Sequence, residues 1–180
     1  MAKDIVYFDL ETRRTAEDVG GWSHKSKMGV SVAVTYSTAR GEYCIYAQDD
    51  IDALISQLMK ADLVVGFNHI DFDYQVLMGH TIMHLPDQLI SLDLMVSLEK
   101  KLGHRMKLDA LAAATLGKSK SAEGLQAIRW WQQGKIMEIA EYCCFDVKVT
   151  KCIHEFGVEH GYVKYHDRQG KEQTVQVDWK

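Results

Sequence analysis

The apolar run Ile5-Val6-Tyr7-Phe8 ends in two carboxylates, Asp9 and Glu11, placed two positions apart. A run of this kind forms a buried strand, and residues i and i+2 of a strand point to one face. The end of an apolar strand lies where an open α/β sheet forms a crevice, so both acids are expected there. Two later segments repeat the theme. Asn68-His69-Ile70-Asp71-Phe72-Asp73 follows the strand-like run Leu63 to Phe67. Tyr142-Cys143-Cys144-Phe145-Asp146 lies in a helical pattern, where residues four apart share a face. Carboxylates gathered this way repel one another unless cations neutralise them, and Mg²⁺ or Mn²⁺ suits all-oxygen ligands.

These three segments, in this order, resemble the exonuclease motifs of the DnaQ-like, ribonuclease-H-like superfamily in its tyrosine (DEDDy) branch. The motifs there are Asp-x-Glu on a strand, Asn followed by three residues and Phe/Leu-Asp, and Tyr-x-x-x-Asp on a late helix. They span residues 9 to 146 of the 180 in the chain. The resemblance implies an α/β, three-layer fold with a mixed five-stranded sheet flanked by helices. It also implies a 3′–5′ exonuclease. Asp9, Glu11, Asp73 and Asp146 would then hold two Mg²⁺ or Mn²⁺ ions about 3.5–4 Å apart. The pattern selects Asp73 over Asp71, because Asp73 follows the apolar Phe72. Tyr142 is assigned to orienting the attacking water, since a phenol of ordinary pKa, about 10, is a poor base at neutral pH.

The substrate contacts implied are Thr12, Asn68, Phe72, Trp22, Lys118 and Lys120. Several keep a structural alternative. Asn68 either shapes a strand-to-helix turn or contacts the bound nucleotide. Trp22, after Gly20-Gly21, either stacks on a base or caps the core. Gly117-Lys118-Ser119 is not a phosphate-binding P-loop, because Ala112 stands where that motif needs glycine and a helix precedes it. His80 with His84, and Cys143, Cys144 and Cys152 with His154, lack zinc-site spacing.

Composition narrows the class further. With 47% hydrophobic and 26% charged residues the chain reads as one soluble domain over residues 1–180. No run is long enough for a membrane span. The N-terminus lacks a signal-peptide pattern and four cysteines suggest no disulfide framework, so a cytoplasmic setting is expected. Net charge is −4, which argues against tight sequence-independent nucleic-acid binding by the chain alone. Positive charge is local, at Arg13, Arg14, Lys25 and Lys27, and at Lys100, Lys101, Arg105 and Lys107. The expected partner is a single-stranded 3′ end, with a protein partner as a source of processivity.

Periodicity predicts strands at 4–10, around Val30, Val32 and Val34, at Tyr43–Tyr46, at Leu63–Phe67 and at Leu89–Leu92. It predicts helices at 51–60, at 72–79 capped by Asp71, at Leu94–Lys101, from Leu108 to Leu116, over Ala122–Gln133 and over Ile136–Phe156. Pro86 is expected in a loop, Gly157 and Gly161 as stops, and a closing hairpin of Tyr162–His166 with Thr174–Trp179. Two rival functions stand beside the nuclease. A ribonuclease-H-like module that binds without cutting would lack carboxylates, and none is missing. An aspartyl-nucleophile phosphatase would want Asp at position 11 and would leave Tyr-x-x-x-Asp unexplained.

Overall fold

The computed structural model describes residues 3–117 and 124–180. Its centre is β1 (Ile5–Thr12), flanked by β2 (Val30–Ser37) and β4 (Leu63–Gly66). β3 (Glu42–Ala47) and β5 (Ser91–Asp93) are the edges, giving the order β3-β2-β1-β4-β5. β1 runs antiparallel to β2, and β2 antiparallel to β3; β1, β4 and β5 are mutually parallel. This mixed five-stranded sheet, with helices on both faces, is the ribonuclease-H-like α/β architecture expected from the motifs.

Alternation along β1 and β4 sorts their side chains into two cores. Val6, Phe8, Leu10 and Val64 pack with α1 (Ile51–Lys60) and α2 (Asp73–Leu77). Tyr7 and Val65 face the other way, onto α4 (Leu94–Leu102), α5 (Leu108–Leu116), α6 (Gly124–Gln132) and α7 (Ile136–His160). β2 departs from the half-buried strand expected for it, because it is covered on both faces. Its register also shifts between Glu11 and Thr12, which pair with Val32 and Val30. The intervening Ser31 is an extra residue, a bulge. Val30 therefore joins the α1–α2 core, while Val32 and Val34 stay in the α7 core.

Other boundaries move for local reasons. Asp71 does not cap α2; Phe72 occupies the N-cap without a side-chain bond, and Asp71 is exposed and pairs with Lys25 at 3.2 Å. Pro86 lies in the first turn of a short helix, α3 (Leu85–Gln88), where its missing N–H costs nothing. α7 runs through Gly157 and ends at Gly161, whose φ of 75° is the left-handed C-cap that glycine tolerates. β6 (Tyr162–His166) pairs with β7 (Glu172–Gln176), and their Val163 and Val175 complete the α7 core.

Beyond β7 the chain leaves the hairpin and lies along α7. Trp179 stacks on His154 at 6.1 Å, and its Nε1–H donates to Ser97 Oγ at 2.9 Å. His154 Nε2 lies 3.3 Å from the Trp179 carbonyl, which can only accept, so Nε2 carries the proton. Nδ1 is then the acceptor for the Tyr7 hydroxyl at 2.9 Å. Burial lowers the His154 pKa, in keeping with this neutral ring. A polar chain thus ties the central strand to the C-terminal tail through the long helix.

Gly157 is the contact point. A Cβ there would overlap the Trp179 ring and press on Val177 Cγ2 at 3.1 Å. In an open helix Gly→Ala stabilises by about 1 kcal/mol. Here Gly157→Ala is expected to destabilise by about 1–3 kcal/mol. The loss should vanish when Trp179→Ala is added, as read by thermal melts of the four species. A stabilising single mutant would show that the tail does not bear on the helix.

Candidate active site

β1 pairs with β4 only over Ile5 to Tyr7. Past Tyr7 the β4 side of β1 is open, at the C-terminal ends of the three parallel strands. This is the crevice in which open α/β sheets place ligands. Asp9 and Glu11 project there from β1, and α7 crosses the same strand. Among the described residues, Asp9, Glu11 and Asp146 form a compact group whose offered oxygens all lie within 4.8 Å of one another. Asp9 and Glu11 are half-buried and Asp146 is buried.

Asp73 is not part of that compact group and meets β1 from the start of α2. Its Oδ1 accepts the Leu10 N–H at 3.0 Å, which fastens the start of α2 to the open stretch of β1. Its carboxyl is pushed well above the usual carboxylate range, first by burial and then by the charge of Asp9. Burial and a neighbouring like charge both disfavour the ionised form, and no positive charge is among the causes that offset them. An all-oxygen donor set with this excess of negative charge fits hard divalent cations.

Tyr142 is buried beside Asp146 on α7, its ring edge-on to Trp130 at 6.1 Å. Cys143, the next residue, is fully buried, with Sγ 3.3 Å from both Asp9 O and Asp9 Oδ2. Burial and the charges of Asp9, Glu11 and Asp146 raise its pKa well above the ordinary thiol range, so the proton stays on sulfur.

Beside Glu11 opens a cleft of about 450 Å³. Thr12, Trp22, Phe72, Leu125 and Ile128 are among its walls. Trp22 does not cap the core: it is 67% exposed and meets Phe72 edge-on at 6.3 Å. The Thr12 hydroxyl donates to Arg14 O at 3.0 Å, which shapes the turn after β1. Lys118 and Lys120 lie outside the described residues. The first basic loop is partly committed elsewhere. Arg13 lies over the Trp131 ring at 5.9 Å, and Lys25 holds Asp71, while Arg14 reaches the cleft.

Asp93 was not singled out from the sequence, and Arg105 was noted only as part of a basic cluster. Asp93, at the end of β5, accepts from Asn68 N at 2.8 Å, Ile70 N at 3.1 Å and Val96 N at 3.2 Å. It caps α4 and sets the loop that delivers Asp73. That loop needs holding, because Asn68 has a φ of 62°, a left-handed conformation that asparagine tolerates better than most residues. The only available signal was an acid at the end of a short apolar run, too common to carry a role. Arg105 donates from Nη2 to Asn68 Oδ1. It brings positive charge next to the site from a loop 37 residues away.

The RNase H superfamily profile matches residues 6–158. No curated protein matches the sequence. Among solved structures, the fold is similar to the family B DNA polymerase from the hyperthermophilic archaeon Pyrobaculum calidifontis, with a TM-score of 0.66 and 16% identity. The likeness covers 88% of this chain and 25% of the polymerase, so the chain spans about a quarter of that protein's length.

The raised carboxyl of Asp73 fixes a sign for stability against pH. An acid whose folded pKa exceeds its unfolded value, about 3.9, binds its proton more tightly in the native state. Metal-free protein should therefore lose stability as pH rises from about 4 through the folded value, and remain weaker above it. Asp73→Asn keeps the acceptor for Leu10 N–H but does not titrate. In EDTA its melting temperature should overtake that of the wild type progressively across this window. Parallel curves would mean that the Asp73 carboxyl is not raised in the folded protein.

Proposed function

We propose that this chain, which belongs to the RNase H superfamily, is a metal-dependent 3′–5′ exonuclease. The observation that carries the reading is the carboxylate triad, whose Glu11 also lines a largely apolar cleft of about 450 Å³. Asp9, Glu11 and Asp146, with Asp73 alongside, would hold two Mg²⁺ or Mn²⁺ ions. Bound there, such ions supply the positive charge that lowers the pKa of an attacking water and offsets charge growing on the scissile phosphate.

The chain's own residues would do the rest. The cleft accepts the terminal base between Trp22, Phe72, Leu125 and Ile128. Its lining is largely apolar, so it would grip a base by stacking and would not read base edges. Glu11 and Thr12 line the same cleft, so a base held there would bring its phosphate toward the carboxylates. The Tyr142 hydroxyl, in register with Asp146 on one helical face, would hold the attacking water against the phosphate. Arg14 and Arg105 supply local positive charge for the strand in a chain whose net charge is −4.

Incubation with single-stranded DNA and RNA, labelled at either end, tests the proposal. Mononucleotides should be released from the 3′ end with Mn²⁺ or Mg²⁺, and a 3′-phosphate should slow the cut. Circular substrate cut as fast as linear would sink end-directed hydrolysis, and full activity in EDTA would sink the metal site.

Tyr142→Phe keeps the ring against Trp130 and deletes only the hydroxyl. Turnover should fall by about 10²–10⁴-fold if that hydroxyl acts in the proton-transfer step. Mn²⁺ affinity, read by calorimetry, should barely change. Asp146→Ala should instead weaken the metal affinity itself. A fully active phenylalanine variant would reduce Tyr142 to a core residue.

A further inference from the structure

One group touches the proposed metal ligands without being one of them. Cys143 lies on α7 between Tyr142 and Asp146, fully buried against β1. Its sulfur meets both the carbonyl oxygen and the carboxylate Oδ2 of Asp9 at 3.3 Å, within reach of an S–H hydrogen bond to either. Both neighbours are pure acceptors, so the thiol must be the donor. We propose that Cys143 is a positioning residue for Asp9, its S–H holding the carboxylate in the orientation from which it binds a divalent cation. This inference rests on the metal-dependent reading above.

Three physical points support it. Asp9 stands on a strand and Asp146 on a helix, so their mutual geometry depends on whatever joins α7 to β1 at this level. Cys143 makes that join within one residue of Tyr142 and three of Asp146, on one rigid helix. Second, the donor is weak and neutral. A lysine in its place would satisfy Asp9 and compete with the cation, whereas a thiol orients the carboxylate and leaves its charge to the metal. Third, hydrogen bonds to ligating carboxylates commonly tune metal affinity, and their loss typically costs 10–100-fold.

Three variants separate donor from packing. Cys143→Val removes the donor and fills the site with a somewhat larger apolar side chain, Cys143→Ala removes donor and volume, and Cys143→Ser keeps a hydroxyl donor. Circular dichroism first establishes which are folded; alanine, leaving only a small void, stands in if valine does not fold. Calorimetric titration of metal-free protein with Mn²⁺ should show affinity lowered about 10–100-fold in the valine or alanine variant. Serine should recover most of that loss.

A second readout uses the wild type itself. The infrared S–H stretch lies in a window clear of other protein bands. The component lost in Cys143→Ser should shift when Mn²⁺ is added, because the metal withdraws charge from the acceptor. Donor-lacking variants that bind Mn²⁺ like wild type, or serine no better than alanine, would overturn the proposal; so would an S–H band indifferent to Mn²⁺. A wild type that binds no Mn²⁺ would instead bring down the metal-dependent function on which the inference stands.

Discussion

Carboxylates do not gather by their own attraction. Two unit charges about 5 Å apart repel by about 3 kcal/mol at an effective dielectric constant near 20. Something else must hold Asp9, Glu11 and Asp146 within 4.8 Å. The packing of α7 on β1 and β2 does so. Tyr7, Val32, Val34, Ile139, Cys143, Val147 and Ile153 are all essentially buried in one cluster. Burying each large aliphatic side chain stabilises by about 1.5–3 kcal/mol, enough for that interface to outweigh the repulsion it imposes. At Asp73, burial first and the charge of Asp9 second push the carboxyl upward.

The other half of the crevice is assembled by hydrogen bonds, which supply direction where apolar packing cannot. Asp93 gathers three backbone N–H groups and holds the loop from Asn68 to Ile70. Asp73 returns a bond to Leu10 N–H on β1. Phe72, between them, is thereby turned toward Trp22 at the cleft. His69, fully buried between Gly66, Tyr74 and Asp93, leaves no room for a Cβ at Gly66. Burial lowers its pKa, which suits a neutral ring in that position. Thus a loop with an unusual backbone angle carries one acid and one cleft wall together.

The tail adds a third constraint, on the far part of α7. Its Trp179 is fitted over Gly157 and joined through His154 to Tyr7 of β1. The helix that presents Tyr142 and Asp146 is therefore anchored to the central strand at two levels. Cys143 with Asp9 is the near one, and His154 with Tyr7 the remote one. A long helix so fixed cannot slide along the sheet without breaking both.

Local pattern alone determined a good deal of this. Strand β1, helix α1, the sharing of one face by Tyr142 and Asp146, and the Gly161 stop follow from periodicity and backbone preference, which depend on near neighbours. The grouping of Asp9 and Glu11 followed from the two-residue repeat of a strand. Other features depend on partners remote in the chain and could not be read locally. The bulge at Ser31 exists because β2 must pair with β1 and still fill two cores. Position 157 has no room for a side chain because Trp179 lies over it. Asp93 looks like any acid until three N–H groups from two segments converge on it. Cys143 looks like a small buried residue until Asp9 is folded against it. Sequence spacing specifies which residues share a face of one element; only tertiary packing specifies which faces meet, and the chemistry of the crevice arises where they do.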